Sequence, residues 1–306
     1  MNVLLSGSGG LIGSALAERL SADGHRVARL VRPGREPRGN DVTWDPSAGH
    51  IDTAALPACD AVVHLAGESI AGRWGRKKKA RIRESRIRGT RLLCEALAGL
   101  ATRPKVLASA SAVGYYGSRG EKIVTEDDPP GEGFLASVCS EWEAATAAAC
   151  EAGIRVVHLR TAMVLAATGG ALKKMLTPFR LGLGGRLGSG RQYWSWISLD
   201  DTVAAILHVL RDESLGGPVN LASPHAVTNR RFTRALGRVL GRPTLFPMPS
   251  FAARLAFGEM AEEVLLSSTR AEPRRLLQSG FEFRHPELEP ALRELLHPPS
   301  PRPPAG

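Results

Sequence analysis

The stretch N-V-L-L-S-G-S-G-G-L-I-G occupies residues 2–13 and decides the fold. Its first five residues form an apolar run that predicts a buried β-strand, and Leu11–Ala22 predict the helix that follows. Between the two lie Gly7, Gly10 and Gly13, spaced three residues apart. In this arrangement the first glycine permits a tight turn, the second lets the backbone approach a pyrophosphate, and the third lets helix and strand pack closely. The stretch therefore predicts a dinucleotide site.

The residues around this motif indicate which dinucleotide binds. The start of the predicted helix, at Leu11 and Ile12, would present free N–H groups and a positive dipole end to phosphates. A second predicted strand ends at Val31 and is followed by Arg32, where a carboxylate would bind the ribose 2′-hydroxyl and repel a 2′-phosphate. A guanidinium pairs with a phosphate through two N–H groups. We therefore predict NADP(H) as the cofactor; the alternative is that Arg32 is a solvated surface residue.

Short aliphatic runs alternate with helical stretches through the first half of the chain. Strands are predicted at Arg26–Val31, Asp41–Asp45, Asp60–Ala66, Lys105–Ala110 and Ile154–Leu159. Such alternation indicates a parallel sheet covered on both faces. The predicted fold class is α/β, with a Rossmann-type doubly wound parallel sheet and a smaller, mainly helical C-terminal lobe.

The last third of the chain has helical periodicity. Apolar residues recur at helical spacing within residues 203–210 and 232–240, and a further helix is predicted from about Ser250 to Leu266. The predicted divisions are an NADP-binding domain over residues 1–165 with its core continuing to about 222, a C-terminal substrate lobe over 223–296, and a flexible proline-rich tail over 297–306.

The positive charge of the chain is concentrated in one segment. Between Arg73 and Arg91 there are ten basic residues and one acid, Glu84, so this segment carries +9 of the formal +10. The remainder is close to neutral. Runs of this kind are most often the solvated face of a helix, and apolar residues such as Ile82 and Ile87 interrupt this one. We therefore expect no nucleic-acid partner.

The cysteines and the apolar runs exclude other classes of protein. Cys59, Cys94, Cys139 and Cys150 have neither C-x-x-C nor Cys/His ligand spacing, so no metal site is predicted. No apolar run approaches the roughly 20 residues that span a bilayer. The glycine motif begins too close to the first residue to leave room for a leader. We expect a cytoplasmic protein with reduced thiols and no membrane partner, as a monomer or homodimer.

Several longer motifs carry a resemblance to a known family. Gly7-x-x-Gly10-x-x-Gly13 and D-A-V-V-H-L-A-G, ending at Gly67, resemble the extended short-chain dehydrogenase/reductases of the NAD-dependent epimerase/dehydratase superfamily. From about Met1 to Leu296 the chain is similar to one atypical branch, the epimerase family of NAD(P)-binding Rossmann proteins. The motifs of that branch are W-D at 44–45, S-R-x-x-G-T at 85–90, S-A-S-A-V-G-Y-Y-G at 109–117, G-S-G-R-Q-Y-W-S-W-I at 188–197 and G-F-E-F at 280–283.

The resemblance implies a Rossmann domain with a small C-terminal lobe closing over it. Extended members carry N-x-x-G-T near the nicotinamide, whereas this chain has Arg86 in place of the asparagine. Arg86 would therefore point at the cofactor or at an acidic substrate. The other cofactor contacts implied beyond the glycine loop are Leu65, Ala66, Gly67, Ser109 and Val164.

The catalytic residues of the family are only partly present. Its reductases use a serine or threonine that orients the substrate, a tyrosine that passes the proton, and a lysine that lowers a phenol pKa of about 10. Ser111 fits the first role, but no Y-x-x-x-K occurs in the predicted helix from about Phe134 to Glu151. A replacement acid could be Tyr115 or Tyr116; we predict Tyr115, with packing toward the substrate as the alternative.

Other residues near this region have open roles. Glu141 and Glu143 lie on the helix that lacks the tyrosine and lysine, and we expect both on its solvated face. Trp194 and Trp196 fit either the wall of an apolar substrate pocket or the core. Arg191 could bind an anionic substrate.

Two functions fit these observations. The leading hypothesis is an NADP(H)-dependent oxidoreductase or epimerase-like enzyme acting on an unidentified small molecule. Because Arg86 and Arg191 could bind an anion, this molecule could carry a negative charge. The second is a catalytically weak or inactive protein that senses NADP(H) without turnover, because Y-x-x-x-K is absent.

Overall fold

The computed structural model describes residues 1–34 and 39–297. The strands are β1 Asn2–Ser6, β2 Arg26–Val31, β3 Val42–Asp45, β4 His50–Ile51, β5 Ala61–His64, β6 Val106–Ala112, β7 Ile123–Val124, β8 Arg155–Thr161, β9 Met163–Leu165, β10 Tyr193–Trp194, β11 Trp196–Ser198, β12 Gly217–Leu221, β13 Val227–Thr228 and β14 Arg270–Ala271. The α-helices are α1 Leu11–Ala22, α2 Arg76–Ala98, α3 Phe134–Ala144, α4 Ala147–Glu151, α5 Gly170–Arg180, α6 Leu199–Arg211, α7 Asn229–Leu240, α8 Ser250–Phe257, α9 Arg274–Gln278 and α10 Leu288–Leu296.

Eight strands form one sheet in the order β12-β8-β6-β5-β1-β2-β3-β4. Neighbouring strands pair in parallel, except that β3 and β4 are antiparallel. The chain runs outward from β1 in one direction through β2 and β3, and in the other through β5 and β6. Open α/β sheets bind ligands at this reversal, beyond the carboxyl ends of the strands. The Rossmann-type sheet predicted from the sequence is confirmed.

Both faces of the sheet are covered by apolar helix residues. On one face Leu16 of α1 and Ile206 of α6 are buried in a single cluster with strand residues such as Leu5. On the other face Leu93 and Leu97 of α2 are buried in a second cluster. Burial on both faces explains why the strands are continuous apolar runs.

The C-terminal part has its own core, which settles the position of the two tryptophans. Trp194 and Trp196 are 8% and 0% exposed and cluster with Phe232 of α7. Their indole N–H groups donate to the carbonyl oxygens of Leu265 and His225. Both side chains are therefore core residues and not walls of an open pocket.

One predicted helix is divided in the structure. The sequence predicted a single helix from about Ser250 to Leu266, but α8 ends at Phe257 and a separate π-helical turn covers Ala261–Leu265. Gly258 adopts φ +63° and ψ −141°, a backbone conformation that is open to glycine and that no α-helix can continue through. The prediction of one helix was wrong because a local apolar pattern does not reveal such a break.

Two further predictions concern the proline-rich tail and membrane-spanning helices. The flexible tail predicted for residues 297–306 lies outside the described residues, apart from His297. Within the described ranges, no helix combines the length and the apolar character needed to cross a bilayer.

Candidate cofactor and substrate site

The motif glycines form a cradle in which side chains would not fit. Gly7 has φ +72°, and a Cβ atom built on it would lie 2.7 Å from the carbonyl carbon of Leu65. A Cβ atom on Gly13 would lie 2.2 Å from the carbonyl oxygen of Gly7. Helix α1 begins after Gly10 with no side-chain cap and no acid in its first turn. Its first N–H groups are thus available to an anion, and the cradle fits a pyrophosphate.

A buried hydrogen-bond network shapes the loop that faces this cradle. The hydroxyl of Ser6, at the end of β1, accepts the N–H groups of Leu65 (3.1 Å) and Ala66 (3.3 Å). The same hydroxyl lies 2.6 Å from Nδ1 of His64, and Nε2 of His64 lies 3.0 Å from Oγ1 of Thr90. The network therefore ties the end of β5 to β1 and α2, next to the predicted cofactor residues.

His64 is a neutral structural residue. It is fully buried, and burial lowers its pKa from 6.5 to about 4. The imidazole is therefore uncharged near neutral pH, and its two nitrogens are engaged by hydroxyl groups.

The shifted pKa of His64 predicts a loss of stability in acid. The imidazole binds its proton more weakly in the folded chain (pKa about 4) than in the unfolded chain (6.5), so its contribution is complete above pH 6.5 and is lost as the pH falls toward 4. The shift corresponds to about 3 kcal/mol of unfolding free energy. Urea unfolding measured between pH 6.5 and 4 should show a fall in unfolding free energy, and this fall should be smaller by about 3 kcal/mol in His64→Gln. The prediction fails if both proteins lose stability equally.

Arg32 is exposed directly after β2, whose Leu30 pairs in register with Ser6 at the end of β1, just before the glycine loop. Its charge acts on two neighbouring carboxyl groups. The pKa of Asp45 is lowered, mainly by a hydrogen bond from Ser47. The pKa of Glu68 is lowered, mainly by a hydrogen bond from Lys78. The positive charge of Arg32 contributes to both shifts. No carboxylate within residues 1–34 and 39–297 lies within 4.0 Å of the Arg32 guanidinium. Arg32 is thus positioned to bind an external anion.

Arg86 lies in the interior beside the loop that follows β5. Its Nη1 donates to the carbonyl oxygens of Glu68 and Ile82, each at 3.0 Å, and its Cζ lies 4.9 Å from the ring centroid of Trp142. A Cβ atom on Gly67 would lie 3.4 Å from this Cζ. Burial lowers the pKa of Arg86, and no carboxylate of the described chain lies within ion-pair distance. A cation with carbonyl and aromatic partners alone is suited to a substrate or cofactor anion.

Ser111 is hydrogen-bonded to a buried ion pair. Its hydroxyl donates to Oε1 of Glu143 at 2.6 Å, and Arg160 binds both oxygens of Glu143 at 2.9 Å. The side chains of Arg160 and Glu143 are 4% and 10% exposed. The expectation that Glu143 lies on the solvated face was wrong. Side chains two positions apart on an α-helix point about 200° away from each other. Glu143 therefore faces inward, while Glu141 stays at the surface, where it pairs with Arg83.

Tyr116 is enclosed by the same ion pair. Its hydroxyl donates to Oδ1 of Asn220 at 2.7 Å and accepts from Nη1 of Arg160 at 3.0 Å. Tyr116 is 0% exposed, and burial raises its pKa to about 12. Burial alone would lower the pKa of Arg160, but the hydrogen bonds and charges of Glu143 and Tyr116 together outweigh that effect and raise it. Tyr116 is therefore a core residue, which leaves Tyr115 as the candidate acid.

Tyr115 differs from its neighbour in having an uncommitted hydroxyl. Cζ of Arg160 lies over its ring, 3.5 Å from the ring centroid. The rings of Tyr115 and Tyr116 pack in a T-shaped arrangement with their centroids 5.4 Å apart. The residue is only partly buried. No hydrogen bond of the Tyr115 hydroxyl is found in the described part of the chain. The ring is held in place while the phenol group remains available.

Of the remaining predicted residues, Ser109 lies on the large sheet and Val164 on the strand beside α1. Ser109 pairs in register with His64, and its buried hydroxyl has no hydrogen-bond partner among the described residues. Val164 lies on β9, and a Cβ atom on Gly170 would lie 3.5 Å from its carbonyl oxygen and 3.2 Å from Leu11 of α1. Arg191 is exposed.

Sequence reasoning missed Arg160. The signal that could have revealed it is the presence of Arg160 inside β8 (R-V-V-H-L-R-T), because a charge in a buried strand requires a partner. The partner, Glu143, lies on α3, and its inward orientation was not apparent from the sequence.

Comparison with known proteins identifies the family. The sequence model of the NAD-dependent epimerase/dehydratase family matches residues 3–222. The chain belongs to this family. Residues 248–295 match a domain of unknown function, DUF1731. Epimerase family protein Mb2239 of Mycobacterium bovis is 48% identical over 294 residues, which are 95% of this chain and 96% of that protein.

Solved structures of this family support the fold and bear on the cofactor. A crystal structure of the human epimerase family protein SDR39U1 with NADPH superposes with a TM-score of 0.88 at 36% identity, covering 96% of this chain and 99% of that one. The NADPH in that family structure agrees with the cofactor predicted from the sequence. UDP-glucose 4-epimerase of Thermotoga maritima, solved with UDP-glucose, has a TM-score of 0.75 at 19% identity over 97% and 98% of the two chains, a likeness of fold.

Proposed function

We propose that this epimerase-family protein is an NADP(H)-dependent oxidoreductase or epimerase-like enzyme acting on a small molecule with a negative charge. The observation that carries the proposal is the uncapped start of α1 in a glycine cradle, with Arg32 following the strand that pairs with β1. The NADPH in the human relative supports the same cofactor. NADP(H) bound there would supply or accept hydride. Its pyrophosphate would lie on the Gly7–Gly13 loop and its 2′-phosphate at Arg32.

The cofactor preference is tested by Arg32→Glu. We expect the parent protein to bind NADPH more tightly than NADH, and the variant to lose or reverse the preference, because a carboxylate would repel the 2′-phosphate. One charge-assisted hydrogen-bonded contact is worth about 1.5–3 kcal/mol, so the affinity for NADPH should fall roughly ten- to a hundredfold. Calorimetric titration with both nucleotides measures the change.

The matched control is Arg29→Glu, which makes the same charge change at an exposed residue of β2. It should leave the preference for NADPH nearly intact. Equal affinity of the parent for both nucleotides, unchanged in Arg32→Glu, would refute the assignment.

The proposed chemistry uses the hydroxyl groups of Ser111 and Tyr115. Ser111 directs its proton to Glu143, so its free lone pair can accept a hydrogen bond from a hydroxyl group next to the reacting carbonyl group and orient the substrate. During reduction Tyr115 would give its phenol proton to the carbonyl oxygen as hydride reaches the carbonyl carbon, which leaves a phenolate; in the reverse direction that phenolate would take the proton of the alcohol. The cation–π contact with Arg160 keeps its ring in one orientation. Arg86 would bind the negative group of the substrate.

The catalytic assignment is tested by screening carbonyl compounds and sugar nucleotides for NADPH oxidation. With any active compound, Tyr115→Phe should lower kcat by about 10²-fold or more, the usual contribution of general acid catalysis, and Ser111→Ala should also lower it. Tyr193→Phe is the control, because that ring also packs on an arginine, Arg270. If Tyr115→Phe and Ser111→Ala both turn over like the parent, the site is wrong.

A protein that holds NADP(H) without turnover is the second candidate. The observation that favours it is the composition of α3, F-L-A-S-V-C-S-E-W-E-A, which contains neither tyrosine nor lysine. Binding of NADPH with no turnover of any compound in the screen would favour this function over the enzyme.

A further inference from the structure

Large apolar side chains are exposed on two segments of the C-terminal part. Six of them, each at least 58% exposed, define what we call the apolar surface: Leu181, Leu183, Leu245, Phe246, Phe251 and Leu255. Large apolar patches are uncommon on the surfaces of soluble monomers and, where they occur, mark sites of interaction.

The two segments lie side by side. The N–H of Met248 donates to the carbonyl of Arg186 and the N–H of Gly188 donates to the carbonyl of Met248, each at 2.9 Å. These bonds join the loop that follows α5 to the loop that precedes α8. Phe251 and Leu255 are four residues apart on α8 and therefore share one face. The backbone segments that carry the six side chains are thus adjacent.

The segments that carry the apolar surface are strongly basic. Residues 169–198 contain five basic residues and no acid, and residues 229–258 contain six and no acid. Immediately before Leu245, three arginines line a surface depression: Arg234, Arg238 and Arg242. Arg238 pairs with Glu289, whereas Arg234 and Arg242 have no ion pair within the described ranges.

The basic segment that stood out in the sequence borders the same surface. Arg73 donates from Nη1 to the carbonyl of Leu255 at 3.1 Å, and Lys79 pairs with Glu259 at 2.6 Å. The +9 segment therefore begins where α8 ends. Of the three acids that follow α8, Glu259 pairs with Lys79 and Glu262 with Arg254, while Glu263 accepts the backbone N–H groups of Phe134 and Leu135. Basic side chains thus flank the apolar surface on two sides.

We propose that the apolar surface docks on an anionic lipid bilayer. Its leucines and phenylalanines would enter the boundary between headgroups and acyl chains, while the flanking arginines and lysines bind lipid phosphates. A second copy of the chain fits less well, because a symmetric dimer through this surface would bring the same uncompensated positive charges together. The proposal departs from our expectation of no membrane partner, which rested on the lack of a spanning run.

Sedimentation of the full chain with vesicles tests the proposal. We expect binding to phosphatidylcholine vesicles that contain phosphatidylglycerol to be at least about tenfold tighter than to phosphatidylcholine alone, and to weaken in high salt. Phe246→Ser with Phe251→Ser should weaken it by about tenfold or more, since two buried aromatic side chains leave the membrane. Arg234→Gln and Arg242→Gln should each cost about fivefold.

The control is Leu277→Ser, which removes an exposed leucine on α9, outside the apolar surface. It should bind vesicles like the parent, and circular dichroism should show that every variant is folded. The proposal is overturned if neither vesicle binds, if both bind equally, or if the double serine variant binds like the parent. It is also overturned if light scattering shows that the parent is a dimer and the double serine variant a monomer, because the apolar surface is then covered by a second copy of the chain.

Discussion

Replacing Arg160 by methionine lowers the free energy of unfolding by about 3–5 kcal/mol, because it leaves Glu143 buried without its partner. The carboxylate is only 10% exposed, and Arg160 supplies two of its hydrogen bonds. The same substitution removes a donor to the Tyr116 hydroxyl. Chemical denaturation at neutral pH measures the loss. The double variant Arg160→Met with Glu143→Met should recover most of it, because no unpaired charge then remains.

The matched control is the ion pair of Glu141, which lies on the same helix as Glu143. Arg83 and Glu141 form an ion pair at 2.6 Å, but their side chains are 48% and 35% exposed. Arg83→Met should therefore cost only about 0–1 kcal/mol, as exposed pairs do. Similar losses in Arg160→Met and Arg83→Met would mean that the buried pair is no more important to stability than a surface pair.

Gly13→Ala is expected to abolish tight binding of NADPH. The added methyl group would lie 2.2 Å from the carbonyl oxygen and 2.8 Å from the carbonyl carbon of Gly7, so the loop must move rather than a flexible side chain. Steric insertion of this kind costs about 1–3 kcal/mol or more. If the displaced loop no longer follows the pyrophosphate, the dissociation constant should rise about a hundredfold. Calorimetry with NADPH gives the value.

The control separates this clash from the general effect of removing a glycine. Gly99 lies at the end of α2 with φ −78°, and a Cβ atom there would meet only helix carbonyl oxygens at 3.6 Å or more. Gly99→Ala should bind NADPH like the parent. If Gly13→Ala also binds NADPH normally while remaining folded, the cradle is not the pyrophosphate site.

Some features could be predicted because short-range rules determine them. The strand Asn2–Ser6 and the helix Leu11–Ala22 have the predicted bounds. Their apolar periodicity and the glycine spacing reflect constraints that operate within a few residues. Arg32 could be predicted as a candidate phosphate ligand for the same reason, since it directly follows a recognisable strand.

Other features depended on contacts between distant residues. Tyr115 and Tyr116 are adjacent and chemically identical, yet Tyr116 is buried against Asn220, 104 residues away, whereas the Tyr115 hydroxyl has no hydrogen-bond partner among residues 1–34 and 39–297. The charges along the chain give a similar case. The sequence placed the basic excess in one segment, but folding brings the start of that segment against α8, which carries part of the apolar surface.

By itself, the sequence determined the strand–glycine–helix unit, the order of alternating strands and helices, and the family, because each follows from spacing along the chain. Only the tertiary structure decided that Glu143 faces inward to Arg160, that Trp194 and Trp196 are core residues, and that Gly258 divides a predicted helix. Each of these depends on which side of an element meets another part of the chain. Packing of distant segments chooses that side, and local periodicity leaves the choice open.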